Sequence, residues 1–222
     1  MIETILEFLS LFLAIMLTIP VHEFAHAFVA VKCGDNTPKY SGRYTLNPLR
    51  HFDPLGLLMM ALVRFGWAKP VPINPGNFKR QRSGVLFVSL AGPISNLLIA
   101  FISYPLYVLS VLFLPDILLF DNFICIFFSV MTGLNVSLFL FNLLPIFPLD
   151  GFHILETCFK RDNSFLRFLR QYGSYLLLGL ILIGILADSF YLLNYVDVLG
   201  MYLNFCGNFI FRIFAAFWGI FF

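Results

Sequence analysis

The chain has 222 residues, of which 60% are hydrophobic and 12% charged, with a net charge of +2. A water-soluble domain is nearer half apolar and a quarter charged, so composition excludes an ordinary soluble globule and points to the bilayer as solvent. The 14 Lys and Arg residues flank apolar runs instead of gathering on a polar surface, which excludes a nucleic-acid-binding arm.

The first expected span is residues 4–31. Its first ten residues carry Glu3 and Glu7 and no cation, the reverse of a cleavable signal, so it is expected to be retained. Pro20 lies inside it and is expected to bend the helix. Next comes His22-Glu23-Phe24-Ala25-His26. Four residues turn a helix by about 400°, which sets His22 and His26 roughly 40° apart on one face, where two imidazoles can share a metal. Glu23 stands beside the first ligand and can take a proton from water activated by that metal, the zinc-hydrolase arrangement. The alternative, core residues with no chemical role, leaves three ionisable groups within five positions of an apolar span, where charged groups cost about 2.5–3.5 kcal/mol each.

Segment 32–83 holds nine cations against Asp35 and Asp53. Within it, 53–66 is apolar but too short to span easily, and is expected to be interfacial or re-entrant. Trp67 to Pro75 alternates Pro70, Pro72 and Pro75 with Val71 and Ile73, so an extended chain is expected there. Such backbone at membrane depth must be covered by protein or line a wet cavity. His51, in the cationic loop, reads as structural or solvated.

The second span, 84–114, carries Ala91-Gly92-Pro93-Ile94-Ser95-Asn96. The third, 123–144, leads into Asn142-Leu-Leu-Pro145-Ile-Phe-Pro148-Leu-Asp150-Gly151. Two prolines end that helix and Gly151 permits a sharp turn. Asp150 is thereby the best candidate for a third metal ligand, with a helix cap as the competing role. His153 is the fallback ligand. Spans at 172–193 and 196–221 follow. The four cysteines form no CxxC pair and read as small hydrophobes.

Cations occupy segments 32–83 and 145–171, whereas 115–122 and 188–197 carry only aspartates. This alternation places the first two segments and the C-terminus in the cytoplasm. The expected fold is an all-α polytopic membrane protein of about five transmembrane helices, with an extended or re-entrant segment on the cytoplasmic side. It is expected to form one domain over 1–222, with a core at 4–160 and additional spans over 172–221.

HEFAH in the first helix, with NLLPIFPLDG later, resembles the site-2 protease family of intramembrane zinc metalloproteases. Gly34-Asp35 onward and the AGPISN stretch are similar to its compact bacterial subgroup, which lacks a PDZ domain. The resemblance covers roughly residues 15–160. It implies one zinc ion held by His22, His26 and Asp150, with Glu23 as general base. It departs from the family in reading Asn-Leu-Leu-Pro where many members have Asn-Pro-x-Pro. In the family the Asn of Gly-Pro-x-x-Asn faces the active site, which makes Asn96 either an oxyanion donor or interhelical glue. The implied activity is hydrolysis of peptide bonds in or near membrane spans of other proteins. The partners are then membrane-protein substrates and lipid, not nucleic acid, and the location is the cell membrane with the site toward the cytoplasm. A membrane metal transporter or an inactive scaffold are the alternatives.

Overall fold

The structure is a computed structural model that describes residues 2–53, 55–56, 69–114, 119–159, 163–187, 190 and 195–221. Helices dominate it: α1 Ile2–Cys33, α2 Thr37–Tyr40, α3 Pro48–His51, α4 Gln81–Phe113, α5 Leu119–Asn142, α6 Asp150–Cys158, α7 Ser164–Ala187 and α8 Val198–Trp218. Five of them are long and apolar enough to cross a membrane, and no strand occurs among the described residues. Side chains such as Ile102, Phe205 and Phe209 are 60–79% exposed. In water that would be an unusual apolar surface, whereas in a bilayer it is the face that meets acyl chains. The protein is an all-α polytopic membrane protein.

The chain divides into two compact units, residues 1–135 and 136–222. In the first, α1 packs along α4. Ala30 and Val88 share a buried cluster with Phe78, and further along α4, Gly92 backs onto His22 and His26. Ascending α4 therefore means descending α1, an antiparallel pair. Ala14, Ala27 and Ala30 on α1 and Ala100 on α4 are fully buried. Small side chains of this kind let membrane helices approach closely. α1 runs unbroken through Pro20. It ends at Gly34, whose φ of 113° suits glycine, with the Asp35 N–H returned to the Ala30 carbonyl.

Asp35 then ties this end of α1 to the next turn. Its Oδ1 accepts from the Thr37 N–H at 3.0 Å and from Asn77 Nδ2 at 2.8 Å, and its Oδ2 from the Asn74 N–H at 2.7 Å. Residues 69–74 form neither helix nor strand, and Asn74 is in the extended region, where the proline spacing leads one to expect extended chain. Val71 is buried, and the Lys69 N–H bonds the His51 carbonyl. His51 is itself fully buried, with Nε2 against the Thr45 carbonyl at 2.7 Å, so it is structural and not solvated. Most of the short apolar stretch 53–66 lies outside the described residues.

In the second unit α5 stops at Asn142, and residues 143–149 turn before α6. Gly151 is required at that turn. A Cβ there would lie 2.3 Å from the Leu143 carbonyl oxygen and 2.4 Å from that of Leu144. Phe152, Leu166 and Leu169 form the buried core, flanked by Phe147 and Leu155. Glu156 pairs with both His153 and Arg170. α7 begins at Ser164, eight residues before the expected span at 172. Arg167 and Arg170 lie in its first two turns, and helical hydrogen bonding continues through a charged stretch that hydropathy alone assigns to a loop. The end expected at 193 lies outside the described residues. All four cysteines are free thiols.

Candidate metal centre and active site

The helical spacing of His22 and His26 has the expected result. Their rings meet edge to face with centroids 4.6 Å apart, and their Nε2 atoms are 3.0 Å apart. Two nitrogens bound to one tetrahedral zinc sit about 3.3 Å apart, so this pair needs little adjustment to chelate. The tautomer of His26 follows from its other nitrogen. Nδ1 lies 2.7 Å from the Val88 carbonyl oxygen, which can only accept, so Nδ1 carries the proton and Nε2 keeps its lone pair toward His22. A backbone carbonyl orienting a ligand histidine in this way also raises its basicity. His26 is 7% exposed and His22 more open.

Gly92 provides the space. A Cβ at this position would lie 2.3 Å from His26 Nε2 and 2.6 Å from His22 Nε2. Any side chain there would occupy the place where the two imidazoles converge. The sequence showed this glycine only as part of AGPISN. Its close approach to the histidines carries no local signature.

Glu23 is half-buried on the same helix, and its Oε2 accepts from the Val71 N–H at 3.0 Å. The segment around Val71 thus reaches the carboxylate between the two histidines, a contact that sequence reasoning missed. Asn96 lies one helical turn beyond Gly92. It is fully buried, and neither Oδ1 nor Nδ2 has a hydrogen-bond partner among the described residues. A buried amide satisfied by neighbouring helices would show such partners, so the interhelical-glue role has no support in the contacts described.

Asp150, in the second unit, is the first residue of α6. The N-cap position belongs to Leu149, and Asp150 carries its carboxylate in the first turn of the helix. His153, the fallback ligand, has its Nδ1 3.0 Å from Glu156 Oε2.

The arrangement in the first unit has the donor set of a zinc hydrolase: two convergent imidazoles with a carboxylate beside them. Comparison with known proteins gives the same answer. Residues 116–184 match the model of Peptidase family M50. The chain is 46% identical over 147 residues to "Putative zinc metalloprotease YwhC" of Bacillus subtilis, covering 66% of this chain and 67% of that protein. It is 35% identical over 150 residues to "Putative zinc metalloprotease Rip2" of Mycolicibacterium smegmatis, covering 64% and 54%. The protein of the same name from Mycobacterium tuberculosis is 30% identical over 156 residues, covering 67% and 57%. The chain thus spans about two thirds of the first relative and little more than half of the Rip2 proteins. No solved structure matches it significantly. The chain belongs to peptidase family M50, the site-2 proteases, which are intramembrane zinc metalloproteases.

Proposed function

We propose that this chain hydrolyses peptide bonds in or near the transmembrane segments of other membrane proteins, with one zinc ion held by His22, His26 and Asp150. The observation that carries the reading is the pair of Nε2 atoms 3.0 Å apart, with His26 locked in the ligating tautomer by the Val88 carbonyl. Asp150 enters as third ligand from its Asp-Gly turn and from the family's ligand set. Family membership disfavours the metal-transporter and inactive-scaffold alternatives.

Bound zinc supplies Lewis acidity, polarising the scissile carbonyl and bringing the pKa of water to about 7. Glu23 accepts the proton from the attacking water and delivers it to the leaving amine. The Val71 N–H orients that carboxylate through its hydrogen bond. Asn96, with its amide unpartnered among the described residues, donates to the developing oxyanion.

The charge distribution supports a cytoplasmic location for the chemistry. Nine cations lie between positions 32 and 82, from the last turn of α1 onward, so in this reading its C-terminal end is the inner one. His26 lies about four residues, or ~6 Å, from Ala30 near that end. Residues 4–160 form the peptidase core in this reading.

Metal analysis of the detergent-purified protein tests the ligand set. About one equivalent of zinc per chain is expected, falling sharply in His26→Ala and in Asp150→Ala. Unchanged zinc content in Asp150→Ala would remove that residue from the site.

A further inference from the structure

One turn along α1 from His22, toward its N-terminus, lies a buried polar group that the mechanism above does not use. Thr18 on α1 and Asn135 on α5 are both fully buried. The Asn135 amide nitrogen donates to Thr18 Oγ1 at 2.9 Å and to the Met131 carbonyl at 2.9 Å. The Thr18 hydroxyl donates in turn to Met131 Sδ at 3.8 Å. Both amide hydrogens are thereby consumed. The reversed amide is ruled out, because it would set Oδ1 against the Met131 carbonyl, acceptor against acceptor. Asn135 Oδ1 is left as a fixed acceptor with no hydrogen-bond partner among the described residues.

A buried acceptor left unmatched is costly, and a purely structural asparagine would be expected to satisfy it. Its position is informative. Thr18 precedes His22 by one turn, about 6 Å along the helix. An extended peptide advances about 3.3 Å per residue. A substrate chain lying open at the histidines would therefore present a backbone N–H at the level of Asn135 about two residues from the scissile bond. Space for such a chain lies further along the same helices. A cavity of about 1040 Å³ between α1, α4 and α5 is lined by Leu11, Ile15, Tyr107, Ser129 and Val130, and ends one turn before Thr18 on α1 and about one and a half turns before Asn135 on α5.

We propose that Asn135, held by Thr18 and Met131, is a substrate-binding residue whose Oδ1 accepts a backbone N–H of the unwound substrate about two residues from the cleaved bond, on the side facing the N-terminal end of α1. The inference rests on the zinc-peptidase reading and adds a residue to it. The acceptor selects for backbone and not for side chain. It rewards a substrate segment that has given up its own helical hydrogen bonds, because only then is the N–H available.

Backbone ester substitution tests this on the full chain in detergent. A cleavable membrane-span peptide is made as the all-amide form and as single esters at each position within four residues of the scissile bond. Each ester removes one N–H. The ester about two residues away, on one side only, should lower kcat/KM roughly 3- to 10-fold. In Asn135→Ala that same ester should have no further effect, the coupling of a double-mutant cycle. A merely structural asparagine would lower activity equally for all peptides and show no coupling. Zinc content checks that the variant is intact. Should Asn135→Ala not fold, Thr18→Val, which loosens the amide, should reduce the same ester effect. Absence of a sensitive position near two residues in the unaltered protein would overturn the proposal while leaving the peptidase reading in place. Failure to cleave the all-amide peptide at all would instead count against that reading, and the Asn135 proposal would fall with it.

Discussion

The carboxylate of Glu23 accepts a hydrogen bond at 3.0 Å from the backbone N–H of Val71, 48 residues away in the chain. This bond joins the segment around Val71 to the residue proposed to hold and release a proton. A charge-assisted bond of this kind contributes about 1.5–3 kcal/mol. Val71→Pro deletes the donor, and Val71→Ala removes the side chain and keeps it. Peptide hydrolysis should fall about 10-fold or more in Val71→Pro relative to Val71→Ala, with zinc content equal in both. Equal rates in the two variants would show that the bond plays no part in positioning Glu23.

Gly92→Ala should disable the centre through sterics alone. Its Cβ would fall 2.3 Å from His26 Nε2, well inside van der Waals contact, so the rings or the helices must move. Zinc affinity should drop by roughly 10- to 100-fold, the range found when the support of a metal ligand is disturbed. Competition with a chelator of known affinity measures it. Affinity equal to that of the unaltered protein would mean that α4 yields without disturbing the histidines.

Asp35 predicts a stability that depends on pH. Burial pushes its carboxyl up, but hydrogen bonds from the Thr37 side chain, the Asn74 backbone, the Asn77 side chain and the Thr37 backbone outweigh burial and hold it below the ordinary value. The folded form therefore binds the proton less readily than the unfolded form. The stabilisation is fully present above the unfolded-state pKa and is lost as pH falls through the folded one. Asp35→Asn should destabilise the protein by roughly 1–3 kcal/mol at neutral pH, and the difference should shrink as the medium is acidified toward and below pH ~4. Thermal unfolding in detergent across that range checks it. A difference that stayed constant would contradict the assignment.

The sequence made the spans and the metal-binding motif legible, and left unread the contacts that organise them. Hydropathy and length locate all five long helices, because crossing lipid demands long apolar runs. Hydropathy misplaced the start of α7, because Arg167 and Arg170 look like loop residues while the backbone is already helical. His22, Glu23 and His26 could be read as a unit because their relationship is carried by helical spacing. Val71 could not be paired with Glu23, since a backbone N–H has no side-chain signature. Asp35 counted in the sequence as a charge in a cationic segment and as part of a family-like stretch, neither of which shows that it is a buried acceptor for four hydrogen bonds. Asn135 was not singled out, because an isolated amide in an apolar span does not reveal which of its atoms are used.

Orientation gives a prediction about the product. In the orientation proposed from the cations around the end of α1, its histidine-bearing end is the inner one. A cysteine at position 43, in a cysteine-free background, should resist an impermeant thiol reagent applied to intact cells. Substrate spans should be cut in their cytoplasmic half, and helix-weakening residues near the cut should favour cleavage. Mass spectrometry of products from a span of known orientation locates the bond. Cuts confined to the outer half would reverse the orientation.

The central claim is zinc-assisted hydrolysis with Glu23 as the base, and the most direct test separates metal binding from proton transfer. Glu23→Gln keeps size and hydrogen bonding but cannot accept the proton. Purified protein and variant, with zinc content measured on the same samples, are given one membrane-span peptide. The account predicts equal zinc and a loss of hydrolysis of about 10²–10⁴-fold in the variant. Cleavage by Glu23→Gln at the rate of the unaltered protein would contradict it.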